Sequence, residues 1–220
     1  GYAAGSGGAV LKTTNTGGNW NVLVISPPDT YTSIFFSTPS TGYVVGLDSR
    51  YYKSTNGGVN WTSKVTYVSK HYFSIQFLNS STGFIVGGWS TTSDGIIPGN
   101  YGLSDAIVLK TDVFGNLEWI KNYGGSNIDG IRSIIRTDDT SYLFTGTSHS
   151  NDIDITDHIG PEDKSDIIVG KIDLSGNLVW LNSYGSVGDD YSNQIIKTKD
   201  SCYLICGYRK LDFEDYYILK

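Results

Sequence analysis

Apolar residues along this chain gather into short runs cut by turn residues, with no stretch that keeps a helical period. Between residues 74 and 184 the runs fall at 74–78, 83–88, 106–111, 117–123, 133–137, 141–146, 166–172 and 178–184. Each is the length of one strand, and four in succession make a unit, with strands designated A to D. The B and C runs, such as Phe84–Val86 and Ile167–Val169, are nearly continuous in apolar character. Such runs predict strands buried on both faces; a half-wet sandwich would alternate. Four-stranded sheets stacked face to face around an axis supply that burial, so the pattern predicts an all-β fold, a β-propeller of four-stranded antiparallel blades.

Internal repetition sets the blade limits. A shift of 61 superimposes the chain from Asp105 on the chain from Asp166 without a gap, placing Lys110 on Lys171, Trp119 on Trp180, Tyr123 on Tyr184 and Asp129 on Asp190. A shorter period relates Lys12 to Lys53 and Trp20 to Trp61. The chain therefore reads as one propeller over 1–220, with four to five blades. A partial blade spans 1–25, blades span about 31–66, 72–124 and 130–185, and a partial blade spans 191–220. With strand A missing at one end and D at the other, the expectation is part of a larger propeller whose ends do not close into a ring.

Composition agrees, with 27 Gly, 16 Tyr, 5 Trp and 5 Pro among 220 residues. The net charge of −6 and a pI near 4.9 exclude the concentrated basic face that nucleic acid or an anionic membrane would need. No window reaches the roughly 20 apolar residues of a membrane-spanning helix, so neither nucleic-acid binding nor membrane insertion is expected. Cys202 and Cys206 lie four apart in one predicted strand, about 13 Å end to end, too far to bridge, and are expected as small buried thiols.

The turns between strands C and D carry Thr13-Thr14-Asn15-Thr16-Gly17-Gly18-Asn19-Trp20 and Ser54-Thr55-Asn56-Gly57-Gly58-Val59-Asn60-Trp61. Over residues 1–90 this resembles the Asp-box, or BNR, repeat of sialidases, sortilin-like receptors, xyloglucan-active hydrolases and photosystem assembly factors. From residue 91 on, the units resemble the bacterial secreted propeller repeat called SBBP, on Asp105, Lys110, Asp112, Gly115, Trp119, Tyr123, Gly124 and Gly125 and their repeats from Asp166. The resemblance implies an extracellular or cell-envelope bacterial protein and says little of activity.

Candidate chemistry falls on the loops. The lysines ending strand C (Lys12, Lys53, Lys110, Lys171 and Lys220) read as edge residues with packed stems and solvated heads. The B–C loops grow from Leu47–Arg50 to Trp89–Ser104 and Ser148–Ser165, and long loops on a rigid scaffold are where binding groups tend to sit. The face carrying the B–C and D–A loops is expected to bind protein or glycan, through Trp89, Tyr101, Asp129, Asp189 and Asp190. Asp152, Asp154 and Asp157 supply the hard oxygen ligands that suit Ca²⁺, although their spacing is not that of an EF-hand loop, and no other cofactor is implied. His149 and His158 share the same insertion. The predicted function is a non-catalytic binding or scaffolding module. Two alternatives stand beside it: an Asp-box glycoside hydrolase fragment using Asp129 and Asp190 as its carboxylate pair, and an assembly factor.

Overall fold

The computed structural model describes residues 1–65, 70–79, 83–91, 97, 99–210 and 214–219. Its strands form five antiparallel sheets. The first holds β1 (Tyr2–Ala4), β2 (Ala9–Lys12) and β3 (Asn21–Val24); the second β4 (Tyr31–Phe36), β5 (Gly42–Gly46), β6 (Arg50–Ser54) and β7 (Thr62–Val65). The third holds β8 (Lys70–Asn79), β9 (Gly83–Ser90), β10 (Asp105–Thr111) and β11 (Leu117–Tyr123). The fourth holds β12 (Asp129–Arg136), β13 (Tyr142–Ser148), β14 (Asp166–Ile172) and β15 (Leu178–Tyr184), and the fifth β16 (Asp189–Lys197), β17 (Tyr203–Lys210) and β18 (Glu214–Leu219). Strands pair in chain order within each sheet, as in a meander, and each sheet packs against the next. This is the blade architecture of a β-propeller.

Burial follows the sequence pattern. The middle strands β5, β10, β13 and β14 are buried along almost their whole length, whereas the outer strands β3 and β15 are largely exposed and β11 is exposed at its first two residues. The blades are glued by aromatic pairs across their joints: Tyr2 on Phe36, Tyr43 and Tyr51 on Phe84, Tyr123 on Phe144. Edge and offset pairings of this kind add about 0.5–1.5 kcal/mol each beyond the area they bury.

Two irregularities recur in register. The innermost strand of each of the last four sheets carries a β-bulge, leaving Thr32, Phe73, Arg132 and Asn193 unpaired. Opposite the residue before each bulge stands a glycine: Gly46, Gly88, Gly146 and Gly207. A Cβ there would lie 2.4, 2.1, 2.0 and 2.3 Å from the carbonyl oxygens of Thr30, His71, Gly130 and Tyr191. The bulge turns a carbonyl into the neighbouring strand, and only a residue without a side chain leaves room for it.

The second recurrence is a latch between blades. The carbonyl of a turn glycine accepts a bond from a tyrosine of the preceding blade: Tyr2 to Gly57 at 3.2 Å, Tyr51 to Gly115 at 2.5 Å, Tyr123 to Gly176 at 2.7 Å. Trp119 Nε1 adds a bond to the Leu174 carbonyl at 3.1 Å. Side chains pin these turns. Asn15 and Asn56 accept the Asn19 and Asn60 amides, and Asp112 and Asp173 accept two backbone amides each, with a glycine at φ near +80° closing the last two.

The strand-C lysines do not hold simply solvated heads. Lys12 donates to the Gly57 carbonyl, Lys53 lies over the Tyr43 ring, Lys110 is buried and pairs with Glu118, and Lys171 pairs with Asp139. Lys220 lies outside the described residues. The cysteines are free, as their spacing requires, but Cys202 is half-buried and Cys206 exposed, against the expectation of buried thiols. Along β17, burial of Ile205 and Gly207 alternates with an exposed Cys206, so this strand buries one face where β13 buries both.

Candidate functional site

The ends of β9, β12 and β13 and the segments joining them meet at one end of the blades. Ser104 and Ile128 form a parallel bridge, the Asp129 amide donates to the Ser104 carbonyl, and the His149 amide donates to the Ile128 carbonyl. Asp190 and Ser165 repeat the same stitch one blade later. B–C and D–A segments are thereby fixed to each other. Ile97 of the first insertion and Ile155 of the second are buried.

These segments enclose a cleft of about 410 Å³. Its apolar walls are Trp89, Leu103 and Ile128, of which Leu103 is 66% and Ile128 47% exposed. Its polar wall is Arg132, Thr147 and His149 of the fourth blade and Tyr191 of the fifth, facing Trp89 of the third. Trp89 is held by the His71 ring at 4.4 Å, Tyr191 by Tyr208 at 5.0 Å, and the Arg132 guanidinium rests 4.3 Å from the Phe73 ring centroid. Thr147 Oγ1 and His149 Nδ1 are buried without a hydrogen-bond partner among the described residues. Arg132 forms no ion pair among them.

Of the residues singled out in the sequence, Trp89, Asp129 and His149 line this cleft. Asp129 is 1% exposed, and its oxygens accept Ser148 Oγ, Ser150 Oγ at 2.9 Å and the Gly125 amide at 2.7 Å. Burial pushes its carboxyl above the ordinary range, and those three bonds hold it back. Asp190 is also buried, accepts Ser186 Oγ at 2.8 Å and does not line the cleft, nor do Asp189 and Tyr101. Asp189 accepts the Ser165 amide and faces Lys164, and Tyr101, 44% exposed, gives its amide to Asp105.

The acidic insertion spends its carboxylates on backbone. Asp152 accepts the Ser126 amide, Asp154 the Gly124 amide and Asp157 the Ser183 amide. Among the described residues no three acidic, histidine or cysteine side chains converge as metal ligands, so the structure does not gather Asp152, Asp154 and Asp157 into a Ca²⁺ shell. His158 instead faces the buried Asp166 carboxylate at 3.2 Å. Residues 92–96 and 98 of the first insertion lie outside the described residues.

Arg132 and Tyr191 line the cleft without standing out in the sequence. The signal available was the offset between the two innermost strands: Arg132 falls on the extra residue of a bulge, whose position appears in the sequence as the glycine facing it. A second groove, about 570 Å³, lies between the fourth and fifth sheets beside Leu143, Trp180, Tyr184 and Tyr203. Trp180 and Tyr184 are the repeat equivalents of the latch pair Trp119 and Tyr123, so this groove continues the blade-packing surface.

No protein-family model matches the chain. No curated protein matches it either. Among solved structures, it resembles a protein of unknown function from Bacteroides caccae with a TM-score of 0.61 at 11% identity, over 99% of this chain and 71% of that one. It also resembles the WD40 β-propeller domain of Doa1, with a TM-score of 0.58 at 10% identity, over 97% of this chain and 61% of that one. Likeness at these identities extends to the fold.

Proposed function

We propose that this chain is a non-catalytic binding propeller of the secreted or cell-envelope kind, and that it takes a glycan in the cleft between its third, fourth and fifth sheets. The observation that carries the reading is the cleft itself, a concave seat with an indole, a phenol and apolar walls, fed by three blades at the loop-bearing end. A volume of about 410 Å³ falls within the 300–1,000 Å³ of small-ligand sites. A protein partner would instead want a broad face of about 800 Å² per side. The Thr13/Asn15 and Ser54/Asn56 turn bonds support an Asp-box kinship for the first two units, and the Asp105 and Asp166 repeats support kinship with secreted bacterial propellers.

Hydrolysis fits less well. Asp129 has its oxygens engaged by two serines and an amide, and Asp190 lies outside the cleft, so the two do not flank a bond in it. A glycan array probed with the protein and with Trp89→Ala tests the binding reading. Retention of defined saccharides, weakened at least tenfold by Trp89→Ala, is expected. A blank array, or saccharide binding untouched by Trp89→Ala, contradicts it.

A further inference from the structure

Resting on the glycan reading, we infer that the ligand is acidic: a uronate-type saccharide whose carboxylate is received by Arg132, with Thr147 and His149 completing its hydrogen bonds. Three unmet groups in one small cleft carry this. Arg132 is a guanidinium with no acidic partner among the described residues, in a chain whose net charge is −6. Its cationic plane is held over Phe73, which fixes the direction of its N–H fork without consuming it. Thr147 Oγ1 and His149 Nδ1 are buried polar atoms with no hydrogen-bond partner among the described residues, a condition that folded proteins usually avoid.

A planar carboxylate has two oxygens for a guanidinium fork and lone pairs left for a hydroxyl and a ring N–H. Trp89, Ile128 and Leu103 then offer an apolar wall to the hydrophobic face of a sugar ring. Asp129 is the acid bordering the cleft, and its oxygens are occupied by Ser148, Ser150 and the Gly125 amide, so the acceptor end of the site is already filled and the open groups favour an anion. The bulge is what makes this possible: it places Arg132 out of the ladder, on an exposed position, while Ile131 and Ser133 on either side stay buried.

Calorimetric titration with trigalacturonate, its methyl ester and a neutral hexose trimer tests the inference, on the whole chain. The acid trimer is expected to bind at least tenfold more tightly than the ester. Arg132→Gln is expected to lose that difference by weakening the acid alone, Arg132→Lys to restore part of it, and Thr147→Val, which keeps the side-chain shape, to weaken the acid about threefold. Circular dichroism confirms that each variant is folded. Equal binding of acid and ester, or Arg132→Gln and Thr147→Val both binding the acid as the parent does, overturns the acidic ligand while leaving the glycan seat standing. Failure of all three saccharides to bind overturns it together with the glycan reading.

Discussion

At the scale of single residues, the most consequential positions are those with no side chain at all. Gly46, Gly88, Gly146 and Gly207 each face a carbonyl displaced by a bulge, and Gly146 is the tightest, with the Gly130 oxygen 2.0 Å from where a Cβ would stand. Gly146→Ala must therefore push two paired backbones apart, and overpacking of a well-filled interior costs about 1–3 kcal/mol. Gly5→Ala, where a Cβ meets nothing within 4 Å on extended backbone, is the matched control and should change stability by under about 0.5 kcal/mol. Urea denaturation of the two variants decides this; equal midpoints would mean that the bulge relaxes freely. The same bulges explain what the sequence hides. Residues 129–136 look like an ordinary strand, and the bulge that takes Arg132 out of the ladder shows only across the sheet, at Gly146.

At the scale of elements, the C–D turns act as latches between blades. The 61-residue repeat supplies an internal comparison, since Tyr123 and Tyr184 are equivalent in sequence but differ in surroundings. Tyr123 is 3% exposed and donates to Gly176, whereas Tyr184 is 40% exposed with no bond among the described residues. Removing the Tyr123 hydroxyl leaves the Gly176 carbonyl unpaired in a buried joint, so Tyr123→Phe should cost about 1–2 kcal/mol. Tyr184→Phe should cost less than about 0.5 kcal/mol. Melting both variants checks it, and equal losses would show that the latch bond adds nothing to packing. Strand order and the division into inner and outer strands were legible because continuous apolar runs mark strands covered on both faces. The insertions were legible as loops but not as built structures: their carboxylates suggested a cation, while the structure uses Asp152, Asp154 and Asp157 to hold neighbouring backbone amides. Carboxylates spaced for metal ligation and carboxylates spaced for turn anchoring look alike until the opposing amides are placed.

At the scale of the whole molecule, charge and burial together set the response to pH. Asp48, Asp129, Asp154 and Asp166 are all pushed upward, chiefly by desolvation. Each keeps its proton in the folded chain to a higher pH than in the unfolded one. Stability therefore falls as pH rises above about 3.9, the unfolded aspartate value. Asp139 is held down by Lys171 and Asp173 by the Asn177 amide, so their contribution is present above that value and lost below it. The two groups pull in opposite directions on either side of about pH 4. Thermal melts from pH 3 to 8 should give the highest Tm near pH 4 to 5 and a decline toward neutrality; a maximum at pH 7 or above would mean that the buried carboxyls do not govern stability.

The central claim is that ligand enters the cleft of Trp89, Arg132 and Tyr191 and not the larger groove at Trp180 and Tyr184. The chain has five tryptophans, so five indole N–H signals report on five places at once. An NMR titration with trigalacturonate, with those signals assigned by single Trp→Phe variants, tests the claim most directly. The Trp89 indole and the amides of residues 128–132, 147–149 and 191 are expected to shift together while Trp180 stays still. Movement of Trp180 with Trp89 unchanged, or no movement at any indole, would contradict it.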